Sequence, residues 1–237
     1  MVISKTPFRI SFFVGGTDFP QWFKEHNGSV LSCSIDKYAY ISLRKLPPFF
    51  SHKHRVVYTD IELCESTKEI RHPSVRECLN LLKITDGMEI HYDGDLPSRS
   101  GLGSSSSFTV GLLLALKAYQ GQVISQKQLA DLAITIERDI LAEAGGVQDQ
   151  IAVAYGGFNH LKFGSTGYSV APFVMSPKNR RDLESSLCLF FTGKSRMADL
   201  AASVRSLKAS RRLGQSAPES WTQRPPYAKL SSYFASS

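Results

Sequence analysis

The chain has 237 residues, 42% of them hydrophobic and 11% aromatic, which is enough apolar material for one large domain or two unequal ones. No apolar run approaches the roughly 18–20 residues needed to span a bilayer, residues 1–9 lack the pattern of a secretion signal, and the four scattered cysteines (Cys33, Cys64, Cys78, Cys188) read as reduced thiols of a cytoplasmic protein. The net charge of +7 is concentrated from Arg205 onward, where six basic residues face the single acid Glu219; a basic tail is not a phosphate-tracking face, so nucleic acid is excluded as the expected partner.

In chain order, the segment from Arg9 reads as an apolar strand delivering a Gly15-Gly16 turn. Thr17 and Asp18 follow, and Asp18 is placed to cap a helix beginning at Pro20. Further strands are expected around Leu31, Cys33 and Ile35, over 40–43, and over 55–59. Met88, Ile90 and Tyr92 alternate with Glu89, His91 and Asp93, as in a half-buried strand. Residues 104–119 are almost continuously apolar, which predicts a helix buried on most of its surface. Over 126–143, Leu129, Leu132, Ala133, Ile136 and Ile140 fall on one stripe of an amphipathic helix. Residues 187–191 read as a short buried strand and 196–208 as a helix. Residues 209–237 hold no period, include Pro218, Pro225 and Pro226, and are rich in serine, so a loosely ordered tail is expected there.

The strongest chemical signal is Pro97-Ser-Arg-Ser-Gly101-Leu102-Gly103-Ser104-Ser105-Ser106-Ser107, between a strand and a helix. Two glycines let the backbone turn and approach a ligand. The serines fall at the helix start, where free N–H groups and the positive dipole end gather anions. One glycine and one serine would suffice for an ordinary capped helix, so the excess points to phosphate. Gly193-Lys194-Ser195 echoes the end of a Walker A loop, but that loop needs a glycine where Cys188 stands. Glu137 lies beside the apolar stripe and is either a solvated acid or a ligand. Asp149 follows Gly145-Gly146 in an expected turn, a setting for a general base or a metal ligand. Taken alone, Thr17 and Asp18 read as a turn and a helix cap.

Together these residues resemble the GHMP kinase superfamily, and within it the heptose 7-phosphate kinase group. The 97–107 segment is similar to its Pro-x-x-x-Gly-Leu-Gly-Ser-Ser loop. Arg9 stands nine positions before Asp18, as in the family's amino-terminal motif. Ile35-Asp36-Lys37-Tyr38-Ala39-Tyr40 and Gln148-Asp149-Gln150, followed by Tyr155-Gly156-Gly157-Phe158-Asn159, extend the likeness, which runs from Thr6 to about Ala202. The resemblance implies an α+β fold: a domain like the second domain of ribosomal protein S5 over 1–180, then an incomplete α+β domain beginning over 181–208. It implies ATP held by Pro97, Gly101, Leu102, Gly103, Ser104, Ser105 and Ser106, and Mg²⁺ held by Ser105 and Glu137. Asp149 and Arg9 would be catalytic, and Thr17, Asp18 and Gly146 would bind a small-molecule sugar or sugar phosphate. The family's second glycine-rich motif is not found after residue 202. An inactive fragment and a kinase of fucose or galactose are therefore the alternatives.

Overall fold

The computed structural model describes residues 1–13, 16–98 and 100–190. The expected helix over 196–208, the tail over 209–237, the Gly193-Lys194-Ser195 triplet, Gly15 and Arg99 lie outside these residues.

Seven strands form one sheet in the order β4-β3-β5-β2-β6-β7, with β1 paired to β2. Strand β1 (Val2–Phe12) leads to the short helix α1 (Pro20–His26) and then to β2 (Gly28–Lys45). The separate strands expected around 31–35 and 40–43 are one element of 18 residues. The stretch between them stays extended because it pairs with β1, Ser34 opposite Arg9 and Tyr38 opposite Pro7. The other edge of β2 is shared, its first part with β6 (Phe158–Gly164) and its last part with β5 (Met88–Gly94). Strand β3 (His54–Val57) runs parallel to β5 and pairs with β4 (Ile61–Cys64), while β7 (Gly167–Pro172) completes a hairpin with β6.

Helices α2 (Pro73–Leu81), α3 (Ser104–Tyr119), α4 (Gln126–Ile134) and α5 (Gln148–Tyr155) build the layer over this sheet. The main core joins Ile41, Leu43, Met88 and Ile90 of the sheet to Leu112, Leu113 and Leu116 of α3. A second core lies under α5, around Ile151, Leu161 and Phe163. The last described helix, α6 (Pro177–Ser185), buries none of its residues. Residues 187–190 form no strand; Leu187, Leu189 and Phe190 are exposed, so the burial that a strand of that composition requires is not supplied.

The amphipathic helix expected over 126–143 ends early. After Ile134 the chain widens into a π-helical turn, Thr135–Ile140, and leaves it at Leu141 and Ala142, the latter at φ +51°. The wider turn shifts the stripe: Leu129, Ala133 and Ile136 are buried, Glu137 is carried inside with them, and Ile140 is left exposed. Such single-turn widenings inside helices are common at functional sites.

Strand β1 and helix α3 are joined by buried hydroxyls as well as by apolar contact. Ser4 donates to the Gly111 carbonyl and Thr6 to that of Ser107, each at 2.8 Å, and Ser107 donates back to Pro7 at 2.9 Å. A Cβ at Gly111 would stand 2.9 Å from the Thr6 hydroxyl and 3.3 Å from Ile41 Cγ1. Gly111→Val is expected to pry α3 from β1 and lower stability by about 1–3 kcal/mol, the usual cost of overpacking; urea unfolding measures it.

Candidate active site

The register of β1 against β2 shifts between Pro7 and Arg9. This irregularity breaks the inward–outward alternation, so Phe8 and Arg9 are both buried in succession. Arg9 is thereby aimed into the helix layer. Its Nε and Nη2 donate to the two carboxylate oxygens of Asp149, at 2.9 and 2.5 Å. Nη1 donates to the Gly101 carbonyl at 3.1 Å, and the Arg9 backbone N–H to that of Leu102 at 3.1 Å. One residue thus joins the expected base to the expected phosphate loop.

The loop itself depends on its glycines. Gly101 and Gly103 both have φ of +79°, a region that residues with a Cβ avoid. A side chain at Gly101 would meet nothing within 4 Å, whereas one at Gly103 would press on Arg9 Cγ at 3.2 Å. No side chain caps α3, so the N–H groups of its first turn face the loop.

Among the serines the structure divides the roles by helical phase. Ser105 is exposed, and Ser104 and Ser105 border a cleft of about 590 Å³ that Pro97 also lines. Ser106 and Ser107 point inward. The hydroxyl of Ser106 donates to Glu137 Oε2 at 2.8 Å, and Gln150 donates to the same oxygen. The hydroxyl that meets Glu137 directly is that of Ser106, because residue 106 lies on the face of α3 turned toward the π-helical turn, while Ser105 faces the cleft. Burial, with the nearby Glu143 carboxylate, pushes the Glu137 carboxyl up to about 7.

Asp149 was expected in a turn; it lies in the first helical turn of α5, which starts directly after Val147. Asp18 was expected to cap α1, yet α1 begins after Phe19 with no side-chain cap. Asp18 instead caps a distant helix. Its carbonyl accepts from Val147 N–H at 3.1 Å and its Oδ2 from Gln148 N–H at 3.3 Å, so it fixes the start of α5. Gly146 makes this possible, since a Cβ there would fall 1.7 Å from Asp18 Oδ2. The Thr17 hydroxyl is engaged with the backbone of Ser29, donating at 2.9 Å and accepting at 3.2 Å. It pins the turn to β2.

The cleft has a wall that the sequence did not announce. His72 stacks on Phe108 with ring centres 4.5 Å apart, Tyr58 meets His72 edge-on at 4.8 Å, and Tyr92 meets Phe108 at 5.2 Å. Buried Glu62 anchors this wall, accepting from the Tyr58 hydroxyl at 2.7 Å and from the N–H groups of Arg71 and His72. Burial holds the His72 imidazole below its ordinary value, so the wall is uncharged at neutral pH. Gln150 was likewise missed as a partner of Glu137. Its place beside Asp149 in the Gln-Asp-Gln triplet was the available signal, since adjacent helical residues face different partners.

The region from His72 to Gly157, which spans the loop, Glu137 and Asp149, matches the family model described as GHMP kinases N terminal domain. Residues 72–157 are a GHMP kinase N-terminal domain. Arg9 and Asp18 lie outside that match and reach it through β1 and the turn after it. The chain is 30% identical over 212 residues to a D-glycero-alpha-D-manno-heptose 7-phosphate kinase of Campylobacter jejuni, covering 82% of this chain and 60% of that protein. It is 28% identical over 205 residues to a galactokinase of Pyrococcus furiosus, covering 84% of this chain and 54% of the other. A D-glycero-D-manno-heptose 1-phosphate kinase of Bacteroides thetaiotaomicron superposes with a TM-score of 0.70 at 26% identity, over 78% of this chain and 64% of that one. The chain thus spans less than two thirds of the length of these relatives. The resulting fold is the mixed α+β fold of GHMP kinases.

The Asp18 carboxyl supplies a pH signature. Burial and the Asp149 carboxylate push it from 3.8 up to about 6. A carboxyl raised in the fold favours the folded state when protonated; that contribution is full below about pH 4 and is lost as pH rises through 6. Asp18→Asn cannot ionise and is expected to flatten this loss of up to roughly 3 kcal/mol, read as a smaller fall of Tm between pH 4 and 7 than in the parent.

Proposed function

We propose that the chain is the amino-terminal part of an ATP-dependent sugar kinase whose acceptor is the anomeric hydroxyl of D-glycero-D-manno-heptose 7-phosphate. The observation that carries this reading is the Arg9 guanidinium, which ties the Asp149 carboxylate to the glycine loop. Phosphoryl transfer to an alcohol needs positioning and charge neutralisation more than covalent catalysis. A carboxylate fixed beside a phosphate cradle offers both.

The loop glycines and the first turn of α3 would hold the triphosphate. The uncharged wall of Tyr58, His72, Tyr92 and Phe108 suits an adenine ring. The acceptor hydroxyl would donate a hydrogen bond to Asp149, which orients it and takes its proton as its oxygen bonds to the γ-phosphorus and the bond from that phosphorus to the bridging oxygen of ADP breaks. Arg9 would offset the charge that develops there, and Asp18 would hold α5 at the required distance. Mg²⁺ is compatible with the residues present. Oε1 of Glu137 is buried without a hydrogen-bond partner among the described residues, and the Ser106 hydroxyl, next to Ser105 in the chain, donates to its Oε2. Among the described residues no three His, Cys, Asp or Glu side chains gather around one point; Mg²⁺ sites of this kind take remaining ligands from phosphates and water. When bound, the ion neutralises charge on the phosphates. The heptose acceptor rests on the similarity to the heptose kinases, and the galactokinase similarity supports a free hexose as the second reading.

Release of ADP in the presence of heptose 7-phosphate tests the reading, with galactose and fucose as competing acceptors. Asp149→Asn is expected to lower turnover by about 10²–10⁴-fold, the range for a positioned base, while nucleotide affinity stays within a few fold. Equal turnover would remove Asp149 from the reaction.

Mg²⁺ affinity should also depend on pH. Binding requires the Glu137 carboxylate, and its carboxyl titrates near 7. In the presence of ADP, Mg²⁺ affinity is expected to rise about tenfold per unit below pH 7 and to level off above it. Glu137→Gln should bind Mg²⁺ more weakly and lose this slope, which calorimetric titration at several pH values measures.

A further inference from the structure

Arg138 follows Glu137 in the π-helical turn, and its Nε and Nη1 are both buried with no hydrogen-bond partner among the described residues. Other arginines of the chain behave differently. Arg9, Arg44, Arg76 and Arg180 each direct Nε onto a carboxylate, those of Asp149, Glu89, Glu77 and Glu184. A guanidinium offers five donors and accepts nothing. Leaving charged donors buried and unpaired costs more than any surface arrangement would.

The position of this cation is informative. Its Nη1 lies 3.7 Å from where a Cβ of Gly145 would stand, so the 141–147 segment passes close to the guanidinium at that glycine. The segment over 141–147 connects the two halves of the site. Glu143 borders the cleft beside Ser104 and Ser105, and Gly146 presses on the Asp18 carboxylate. Gly145, which approaches Arg138, lies in the chain between these two contacts.

We infer that Arg138 binds a phosphate oxyanion brought by one of the two substrates. The inference rests on the kinase reading above. Two sources carry that chemistry: the γ-phosphate of the nucleotide and the phosphate of the acceptor. Either would bring tetrahedrally arranged oxygens that can accept from the guanidinium N–H groups. A stability deficit held at a site in exchange for ligand binding also accounts for the burial of two unpaired donors.

The test uses the full chain and two variants, Arg138→Met, which keeps the stem and removes the donors, and Arg138→Lys, which keeps charge without the fork. Without ligand, Arg138→Met is expected to melt about 2–6 °C higher than the parent, since unpaired buried donors are removed. A residue that merely supports the 141–147 segment would give a lower Tm. Calorimetry then compares MgADP, Mg-AMPPNP, heptose 7-phosphate, unphosphorylated heptose and inorganic phosphate. A loss of about 10–100-fold for Mg-AMPPNP, with MgADP unchanged, supports the proposal and assigns the γ-phosphate. The same loss for heptose 7-phosphate, with heptose unchanged, supports it and assigns the acceptor phosphate. Arg138→Lys should recover part of the lost affinity. Unchanged affinity for every probe overturns the proposal. A parent that binds neither nucleotide overturns the kinase reading instead; inorganic phosphate then decides, a weaker affinity in Arg138→Met supporting the oxyanion role and an equal or absent one ending it.

Discussion

The arrangement of the site depends on one bidentate ion pair, Arg9 with Asp149, and on the backbone irregularity that makes it reachable. A regular β1 would alternate, and Arg9 would then face away from the layer that holds Phe8. The shift in register places both on the same side, the phenyl ring in the core and the guanidinium at its rim. From there the five donors of one side chain reach α5 and the glycine loop together. Lysine could not replace it, because a point charge cannot hold two carboxylate oxygens and a carbonyl in fixed directions.

Around this pair, acidic groups are placed so that they constrain one another. Asp18 and Asp149 lie close enough to raise the Asp18 carboxyl, while Arg9 and the Gln148 N–H lower it. Glu137 is buried further away, held by Ser106 and Gln150. The helix α5 serves three of these groups at once: its first N–H groups meet Asp18, its Asp149 meets Arg9, and its Gln150 meets Glu137. Rotation or sliding of that helix would break all three contacts together, which accounts for the tight contact at Gly146.

Much of this was legible in the sequence. The glycine–serine segment, the strand over 88–93 and the helix over 104–119 follow from local pattern, and the structure has them where local pattern put them. Pattern could not show that β2 is continuous, because extended pairing to β1 is a tertiary fact. Nor could it show that the helix after residue 126 widens into a π turn, since apolar spacing assumes a constant period. At the candidate site, Arg9, Glu137 and Asp149 were singled out by their motifs, yet the side chains they contact were not. Adjacent serines differ only in helical phase, so Ser105 and Ser106 are indistinguishable until α3 is placed. Asp18 looked like the cap of the next helix because capping is normally local. Its actual helix starts 130 positions later. The aromatic wall is built from Tyr58, His72, Tyr92 and Phe108, which no short window contains.

The same long separations have a kinetic meaning. Arg9 and Asp149 are 140 residues apart, and Asp18 and Gln148 are 130 apart. Contacts of that span form late, because a long loop must be closed before they repay its entropy. At translation rates of roughly 5–20 residues per second, Arg9 leaves the ribosome about 7–28 s before Asp149 does. Through that interval the carboxylate that pairs with it in the finished fold is absent. The glycine loop cannot take its final shape until α5 arrives, since the side chain that holds Gly101 is itself held by Asp149. Ligand affinity in a nascent chain would therefore report completion of this domain, and would stay silent on every earlier stage of its folding.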